Sequence, residues 1–156
     1  MGKKILLAIV VIVIVMQFIQ PDKNISEEIP QSDFIVLNTP PAEVATILKT
    51  SCYDCHSNNT EYPWYGNVAP VSYILANHVN DGKRHLNFSE WGKYNQNQKE
   101  HALEEIIEVV EHREMPMTSY ISMHEEAALT DTEVKVLNDY MTTSLNMTSL
   151  YKQKAE

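Results

Sequence analysis

The hydrophobic positions of this chain recur every three to four residues in four segments, which is the spacing of one face of a helix. Polar stretches that contain proline, asparagine and glycine separate these segments. No pair of segments shows the alternation and tight turn of a β-hairpin. The pattern therefore predicts an all-α fold with long loops. The four apolar stripes are Val44, Ile47 and Leu48; Val71, Ile74, Leu75, His78 and Val79; Leu103, Ile106, Ile107 and Val110; and Val134, Leu137, Tyr140 and Met141.

Local signals predict where three of these helices begin or end. Asp81 and Gly82 form a helix stop signal, so we expect the second helix to end there. Pro116 stops the third helix, because proline disfavours helical geometry in the residue before it. Thr130 and Glu133 have the spacing of a capping box and predict the start of the last helix.

The first twenty residues differ from the rest of the chain. An uncharged apolar run, Ile5 to Ile19, follows Lys3 and Lys4. A basic segment before an apolar run is typical of a signal peptide or a membrane anchor, and no small-residue cleavage site follows this run. We interpret residues 1–20 as an N-terminal membrane anchor or signal, and we favour an uncleaved transmembrane helix. The two lysines would then stay in the cytoplasm and the rest of the chain would be exported.

The remainder of the chain is interpreted as a linker, one domain and a tail. Residues 21–39 are polar, contain Pro21 and Pro30, and are followed by Pro40 and Pro41, which predicts a linker with one short extended segment, DFIVL. Residues 40–145 contain the four predicted helices and form the domain, and residues 146–156 form a polar tail. A chain of 156 residues is long enough for one modest domain with its own core.

The charge of the chain excludes one class of partner. Twelve lysines and arginines stand against 21 aspartates and glutamates, which gives a formal net charge of −9. Binding to nucleic-acid phosphates requires a basic surface, so no nucleic-acid partner is expected. An acidic domain suits basic protein partners, although charge alone does not identify a partner.

Both cysteines of the chain lie in one short motif, Cys52-x-x-Cys55-His56. Residues at i, i+3 and i+4 share one face of a helix, so the two thiols and the imidazole can point the same way. Two thiols at this spacing can bond to the two vinyl groups of one haem, and the histidine then lies under the iron. The motif predicts one covalent haem c, held by Cys52 and Cys55, with His56 as the proximal iron ligand.

Two other uses of this motif stay open at the level of the sequence. A structural zinc site needs four ligands, usually from two cysteine pairs, and this chain has no other cysteine. A redox disulfide of the thioredoxin kind needs a βαβ context, which the hydrophobic pattern lacks.

The second axial position of the iron has two candidate ligands. Met115 precedes Pro116, and proline holds the preceding residue out of helical geometry, which is a rigid way to present a thioether. Met115 is the predicted distal ligand, although Met117 and Met123 lie nearby in the sequence. His78, on the apolar face of the second helix, is the alternative distal ligand, and an open position is the third option.

Several residues beyond the haem motif form a more specific pattern. They are Tyr62-Pro63-Trp64-Tyr65, Pro70, His78, Gly82, Leu86-Asn87-Phe88-Ser89-x-Trp91, Met115-Pro116 and Tyr120. With this pattern the chain resembles, from residue 40 to residue 141, the haem-binding domain proteins, a cytochrome c-like family of exported bacterial proteins with an N-terminal anchor. The resemblance implies a cytochrome c-like helical domain around one covalent haem. Together with the anchor, it implies a bacterial inner-membrane protein whose haem domain lies in the periplasm.

The aromatic residues of this pattern offer flat apolar surfaces that can wall a haem, and ordinary core packing is the alternative role for each. Arg84 and Lys83 offer positive charge for haem propionates. The predicted haem-contacting aromatic residues are Tyr62, Trp64, Tyr65, Phe88 and Trp91.

The expected function is electron transfer, without an enzymatic reaction. A haem with methionine or histidine opposite His56 exchanges one electron with redox partner proteins, here expected at the membrane. The alternative is a five-coordinate haem protein that binds a small ligand, as in gas sensing or a peroxidase-like site. A third hypothesis, a thiol protein without haem, would show no covalent haem mass.

Overall fold

The computed structural model describes residues 2–26 and 28–155, and every regular element among them is helical. The predicted all-α class is therefore confirmed for this part of the chain. Short 3-10 turns occupy Trp64–Asn67, Phe88–Lys93 and Glu125–Ala127. The α-helices are α1 (Gly2–Phe18), α2 (Phe34–Asn38), α3 (Ala42–Ser51), α4 (Tyr53–His56), α5 (Val71–His85), α6 (Gln96–Glu111), α7 (Thr118–Ile121) and α8 (Asp131–Ala155).

The core lies mainly between α6 and α8, which pack along each other, with α3 against α8. Leu48, Leu103, Leu137 and Met141 are fully buried there. Each of them belongs to one of the predicted apolar stripes, because an amphipathic helix buries the face on which its apolar residues recur.

Two capping boxes determine where long helices begin. The Thr130 hydroxyl accepts from the backbone N–H of Glu133 at 3.2 Å, and the Glu133 carboxylate accepts from the Thr130 N–H at 2.8 Å. The predicted start of the last helix is confirmed. A second box, which the sequence analysis did not identify, joins Asn95 and Gln98 at the start of α6. Both boxes satisfy backbone donors that a helix start leaves unpaired.

The N-terminal apolar run forms α1, and it corrects one prediction. α1 contains 17 residues, which corresponds to a length of about 25 Å, whereas a bilayer core is about 30 Å thick. Among the described residues, none of the helices combines the length and apolarity needed to cross a membrane. The predicted N-terminal transmembrane helix is therefore wrong. The predicted location, a bacterial inner membrane with the haem domain in the periplasm, depended on that helix and is contradicted by the same finding.

The end of α1 and the segment that follows it are both hydrogen-bonded to the helical domain. The side-chain amide of Gln17 donates to the carbonyl of Ala69 and accepts from its N–H, both at 3.1 Å. The Asn24 side chain donates to the carbonyl of Ser57 at 2.8 Å. Residues near 17 and 24 thus lie on the surface of the domain.

The segment DFIVL is helical, so the predicted extended segment is wrong. Asp33 caps α2, and its carboxylate accepts from the Ile35 N–H at 2.9 Å. Phe34 has no exposed surface and lies edge-on to Phe88 and Trp91, with ring centroids 5.4 and 4.9 Å away. Residues interpreted as a linker thus contribute an aromatic side chain to the core.

The predicted stop signal at Asp81 and Gly82 does not end α5. The helix continues to His85, and the N–H of Leu86 donates to the carbonyl of Gly82 at 2.9 Å. Glycine within a helix costs about 1 kcal/mol relative to alanine. Gly82 offsets this cost by allowing α5 to pack closely against Cys55 at the candidate site.

Candidate functional site

One cavity of about 300 Å³ lies between α4, α5, α6 and the segment before α7. This volume is at the small end of the range for ligand pockets. The cavity contains both cysteines and three of the predicted iron ligands. It is lined by Ser51, Cys52, Asp54, Cys55, His56, His78, Gly82, His85, Leu86, Phe88, Ala102, Glu105, Ile106, Val109, Val110, Met115, Pro116, Met117 and Tyr120.

The motif Cys52-x-x-Cys55-His56 forms one helical turn at the break between α3 and α4. Cys52 leaves helical geometry with φ −129°, which ends α3 and starts α4. Its carbonyl accepts from the N–H groups of Cys55 and His56, at 3.2 and 3.0 Å. This single turn keeps the predicted i, i+3, i+4 spacing, and all three side chains line the cavity.

His56 is held in one orientation by a hydrogen bond to the backbone. Its Nδ1 lies 3.0 Å from the carbonyl oxygen of Leu86, so Nδ1–H donates and Nε2 keeps its lone pair. Burial is the main cause that lowers the pKa of His56, which favours the neutral imidazole. A neutral imidazole whose other nitrogen is hydrogen-bonded is the usual form of a metal-binding histidine.

The two cysteines are free thiols in an apolar environment. Burial raises the pKa of Cys52 to about 12, with a smaller contribution from the charge of Cys55. Burial also raises the pKa of Cys55 to about 11, and the charge of Asp54 adds to the effect. Cysteines that work by disulfide exchange have lowered pKa values, so this environment is unlike that of a thioredoxin-type pair.

The donor set of this cavity fits a haem better than a bare metal ion. Across residues 2–26 and 28–155, no group of three or more His, Cys, Asp or Glu side chains is arranged to hold a metal ion. A haem brings four nitrogen ligands of its own and needs only axial donors, apolar walls and, for a c-type haem, two thiols. His56, Cys52 and Cys55 provide these groups on one apolar surface.

Gly82 allows α5 to approach the haem motif closely. A Cβ atom at this position would lie 2.6 Å from the backbone oxygen of Cys55 and 3.2 Å from its Cβ. A backbone oxygen cannot move aside as a side-chain tip can, so the close packing of α4 on α5 requires glycine. This packing is the physical reason for a glycine inside α5, where the sequence signal predicted a helix end.

We expect Gly82→Ala to lower the free energy of unfolding by about 1–3 kcal/mol, the usual cost of overpacking. Urea unfolding followed by circular dichroism measures this change. Gly66→Ala is the matched control, because its added Cβ would meet side-chain atoms and no backbone, namely the tip of Leu75 at 3.1 Å and the ring edge of Tyr62 at 3.3 Å. The control should lose less than about 1 kcal/mol. Equal losses in the two variants would contradict a special requirement for glycine at position 82.

Met115 and His78 both line the cavity, so the structure brings together the two candidate distal ligands. Met115 is half-buried, and its backbone N–H donates to the carbonyl of Val109 at 3.2 Å. Met117 also lines the cavity, whereas Met123 is 60% exposed and does not. The rivals to Met115 in the cavity lining are therefore His78, Met117 and the more exposed His85.

The predicted haem-contacting aromatic residues lie in different environments: one lines the cavity, and the others lie in the core or on the surface. Phe88 lines the cavity. Trp91 is only 3% exposed and packs on Phe34, which corresponds to the core-packing alternative. Trp64 is 78% exposed on its 3-10 turn.

The other predicted contacts also have partners away from the cavity. The Tyr62 hydroxyl accepts from the Asn24 N–H at 2.8 Å, and the Tyr65 hydroxyl lies 2.7 Å from Nε2 of His124. Arg84 is exposed and pairs with Asp81. Tyr62, Trp64, Tyr65, Trp91 and Arg84 are thus absent from the cavity lining, and their positions give no support to a role in walling a haem or pairing its propionates.

Several lining residues were not identified from the sequence. One wall is a face of α6, formed by Ala102, Glu105, Ile106 and Val109 at helical spacing. This spacing was a usable signal, but it could not show that this side of α6 faces the cysteines. Asp54, between the two cysteines, also lines the cavity and received no role in the sequence analysis.

Comparisons with known proteins place the chain in a family. No curated protein and no solved structure matches it. A family model described as "Haem-binding domain" matches residues 11–143, which is most of the chain. The match agrees with a cavity that presents two cysteines and a histidine on an apolar surface. The chain therefore belongs to the haem-binding domain family and binds haem.

Proposed function

We propose that the chain binds one haem covalently through Cys52 and Cys55 and works as an electron carrier. The observation that carries this proposal is that Cys52, Cys55, His56 and Met115 all line one and the same apolar cavity. Haem iron supplies the one-electron chemistry when it is bound. The chain supplies attachment, axial ligands and exclusion of water.

His56 is the proposed proximal ligand, and its hydrogen bond to Leu86 supports this role. The bond keeps the imidazole ring from turning and leaves Nε2 available to the iron. Apolar residues of α6, together with Leu86 and Phe88, line the site and limit the access of water, which stabilises the less charged state of the iron.

Met115 is the proposed distal ligand. Its backbone is held to α6 through Val109, and Pro116 follows it directly, so the thioether is carried by a short constrained segment. Methionine opposite histidine raises the reduction potential relative to two histidines. A closed sixth position favours electron transfer over ligand binding, so the partners proposed here are redox proteins. The formal net charge of −9 suits basic ones.

The alternative function is a five-coordinate haem protein that binds a small ligand. The observation that favours it is the presence of His78 and Glu105 in the cavity lining, since polar side chains beside an open iron position can stabilise a bound ligand.

We expect Met115→Ala to keep its haem but to open the sixth position. The ferric variant should lose the far-red charge-transfer band of methionine-ligated iron, and the ferrous variant should bind carbon monoxide, which the unmodified protein should not. Absorption spectra of the purified holoproteins measure both effects. Met123→Ala is the matched control because Met123 is exposed and outside the cavity, and its spectra should be unchanged.

Other outcomes reassign the ligand or the function. If His78→Ala or Met117→Ala removes the sixth ligand and Met115→Ala does not, the assignment of Met115 is wrong. If the unmodified ferrous protein binds carbon monoxide readily, the electron-carrier proposal gives way to the ligand-binding one.

A further inference from the structure

A hydrogen bond joins the haem motif to the segment that carries Met115. The hydroxyl of Tyr120 donates to the carboxylate of Asp54, with an O–O distance of 2.7 Å. Asp54 lies between Cys52 and Cys55, and Tyr120 lies five residues after Met115. The two bonded residues are 66 positions apart, and both line the cavity. The bond therefore links the haem motif directly to the segment that carries Met115, without the haem between them.

Asp54 is itself held by the chain that follows the motif. Its other carboxylate oxygen accepts from the N–H of Glu61 at 3.0 Å, and its carbonyl accepts from the hydroxyl of Thr60 at 2.6 Å. A carboxylate that already has a backbone partner has little rotational freedom. It therefore offers Tyr120 a stationary acceptor, and hydrogen bonds to charged groups are among the stronger ones.

The segment between Met115 and Tyr120 is short and anchored at both ends. At its start, the N–H groups of Glu114 and Met115 donate to the carbonyl of Val109, at 2.8 and 3.2 Å. At its end, Tyr120 donates from its backbone to the Met117 carbonyl at 2.9 Å and from its hydroxyl to Asp54. Without the bond to Asp54, α6 would still anchor the start of the segment, but its end would lose this bond to the haem motif.

The Tyr120 ring is fixed by a second contact. It stacks on the His124 imidazole, with ring centroids 4.4 Å apart and planes 16° apart. Burial raises the pKa of Tyr120, and the bond to Asp54 raises it further, so the hydroxyl keeps its proton and remains a donor.

We propose that Asp54 and Tyr120 are positioning residues that hold Met115 at the iron. This inference rests on the proposed function, in which Met115 is the distal ligand. The bond between Asp54 and Tyr120 closes the Met115 segment against the haem motif, so that an external ligand must displace a thioether that cannot easily move away. Asp54 thus has a role distinct from the covalent and axial roles of its neighbours.

The test is the affinity of the ferric holoprotein for imidazole, which competes with Met115 for the iron and is followed by absorption spectroscopy. We expect Tyr120→Phe and Asp54→Ala each to raise this affinity about tenfold, as loss of one charged hydrogen bond implies. The double variant should show little more than either single variant, because both remove the same bond. Asp54→Asn keeps an amide partner for Tyr120 and should stay within about threefold of the unmodified protein.

Tyr73→Phe is the matched control. Its hydroxyl donates to the carbonyl of Ile19, which also joins distant parts of the chain, but Tyr73 does not line the cavity. The control should leave imidazole affinity unchanged. A second measurement, hydrogen exchange in the holoproteins, should show faster exchange at residues 117–124 in Tyr120→Phe than in the control.

The outcomes separate this inference from the proposed function. If Met115→Ala does not raise imidazole affinity, the distal ligand is misassigned and this inference is overturned with it. If Met115→Ala raises the affinity but Tyr120→Phe and Asp54→Ala do not, the positioning role is overturned and the ligand assignment stands. Faster exchange at residues 117–124 without a change in imidazole affinity overturns the positioning role as well.

Discussion

Replacing both Cys52 and Cys55 by alanine is expected to abolish covalent haem attachment and to leave the helical fold intact. The two thiols are the chain's only cysteines, and both line the apolar cavity beside His56. No other side chain of the chain can form thioether bonds to the haem vinyl groups. Mass spectrometry of the denatured protein should show the haem mass in the unmodified chain and its complete loss in the double variant.

Each single cysteine variant is the internal control, because one remaining thioether bond still retains haem after denaturation. Circular dichroism of the variants should show an unchanged helix content, since Cys→Ala removes only one sulfur atom. An unmodified chain without haem mass, when produced with a haem-attachment system, would overturn covalent attachment. Haem binding itself would then be non-covalent.

Phe34→Ala is expected to lower the free energy of unfolding by about 3–5 kcal/mol, the usual cost of removing a buried phenylalanine ring. The side chain has no exposed surface, and its ring lies edge-on to Phe88 and Trp91. Phe88 also lines the cavity, so the void left by Phe34 would lie directly behind a wall of the haem site. Urea unfolding of the holoprotein measures the loss.

Val36→Ala is the matched control in the same helix, because Val36 is partly exposed and is not part of the buried core. It should change the free energy of unfolding by no more than about 0.5 kcal/mol. If Phe34→Ala had an equally small effect, α2 would not be an integral part of the domain core. A large difference would show that the domain requires residues before position 40.

Hydrophobic periodicity predicted most of the core but not all of it. Val44, Leu48, Leu103 and Leu137 are buried as their stripes indicate. Ile74 belongs to an equally regular stripe and is 53% exposed. Periodicity identifies the apolar face of a helix, and the covering of that face depends on elements that are distant in sequence.

The candidate site was likewise predicted only in part, because local spacing was informative and aromatic composition was not. The spacing of Cys52, Cys55 and His56 is local, so one helical turn was enough to predict that they face the same way. The aromatic pattern did not predict its own role, because Trp91 lies in the core and Trp64 on the surface. An aromatic side chain fits a core, a cofactor wall and a surface equally well on composition alone.

The sequence by itself determined the helical class, the haem motif, the core stripes of α3, α6 and α8, and the capping box at Thr130. These features depend on residues within about one or two helical turns of each other, where backbone geometry alone brings side chains together. Only the tertiary structure decided that Phe34 is buried, that Gly82 packs on Cys55, and that Tyr120 donates to Asp54. These contacts join residues far apart in the chain, and their energies depend on packing and on excluded water, which no local pattern encodes.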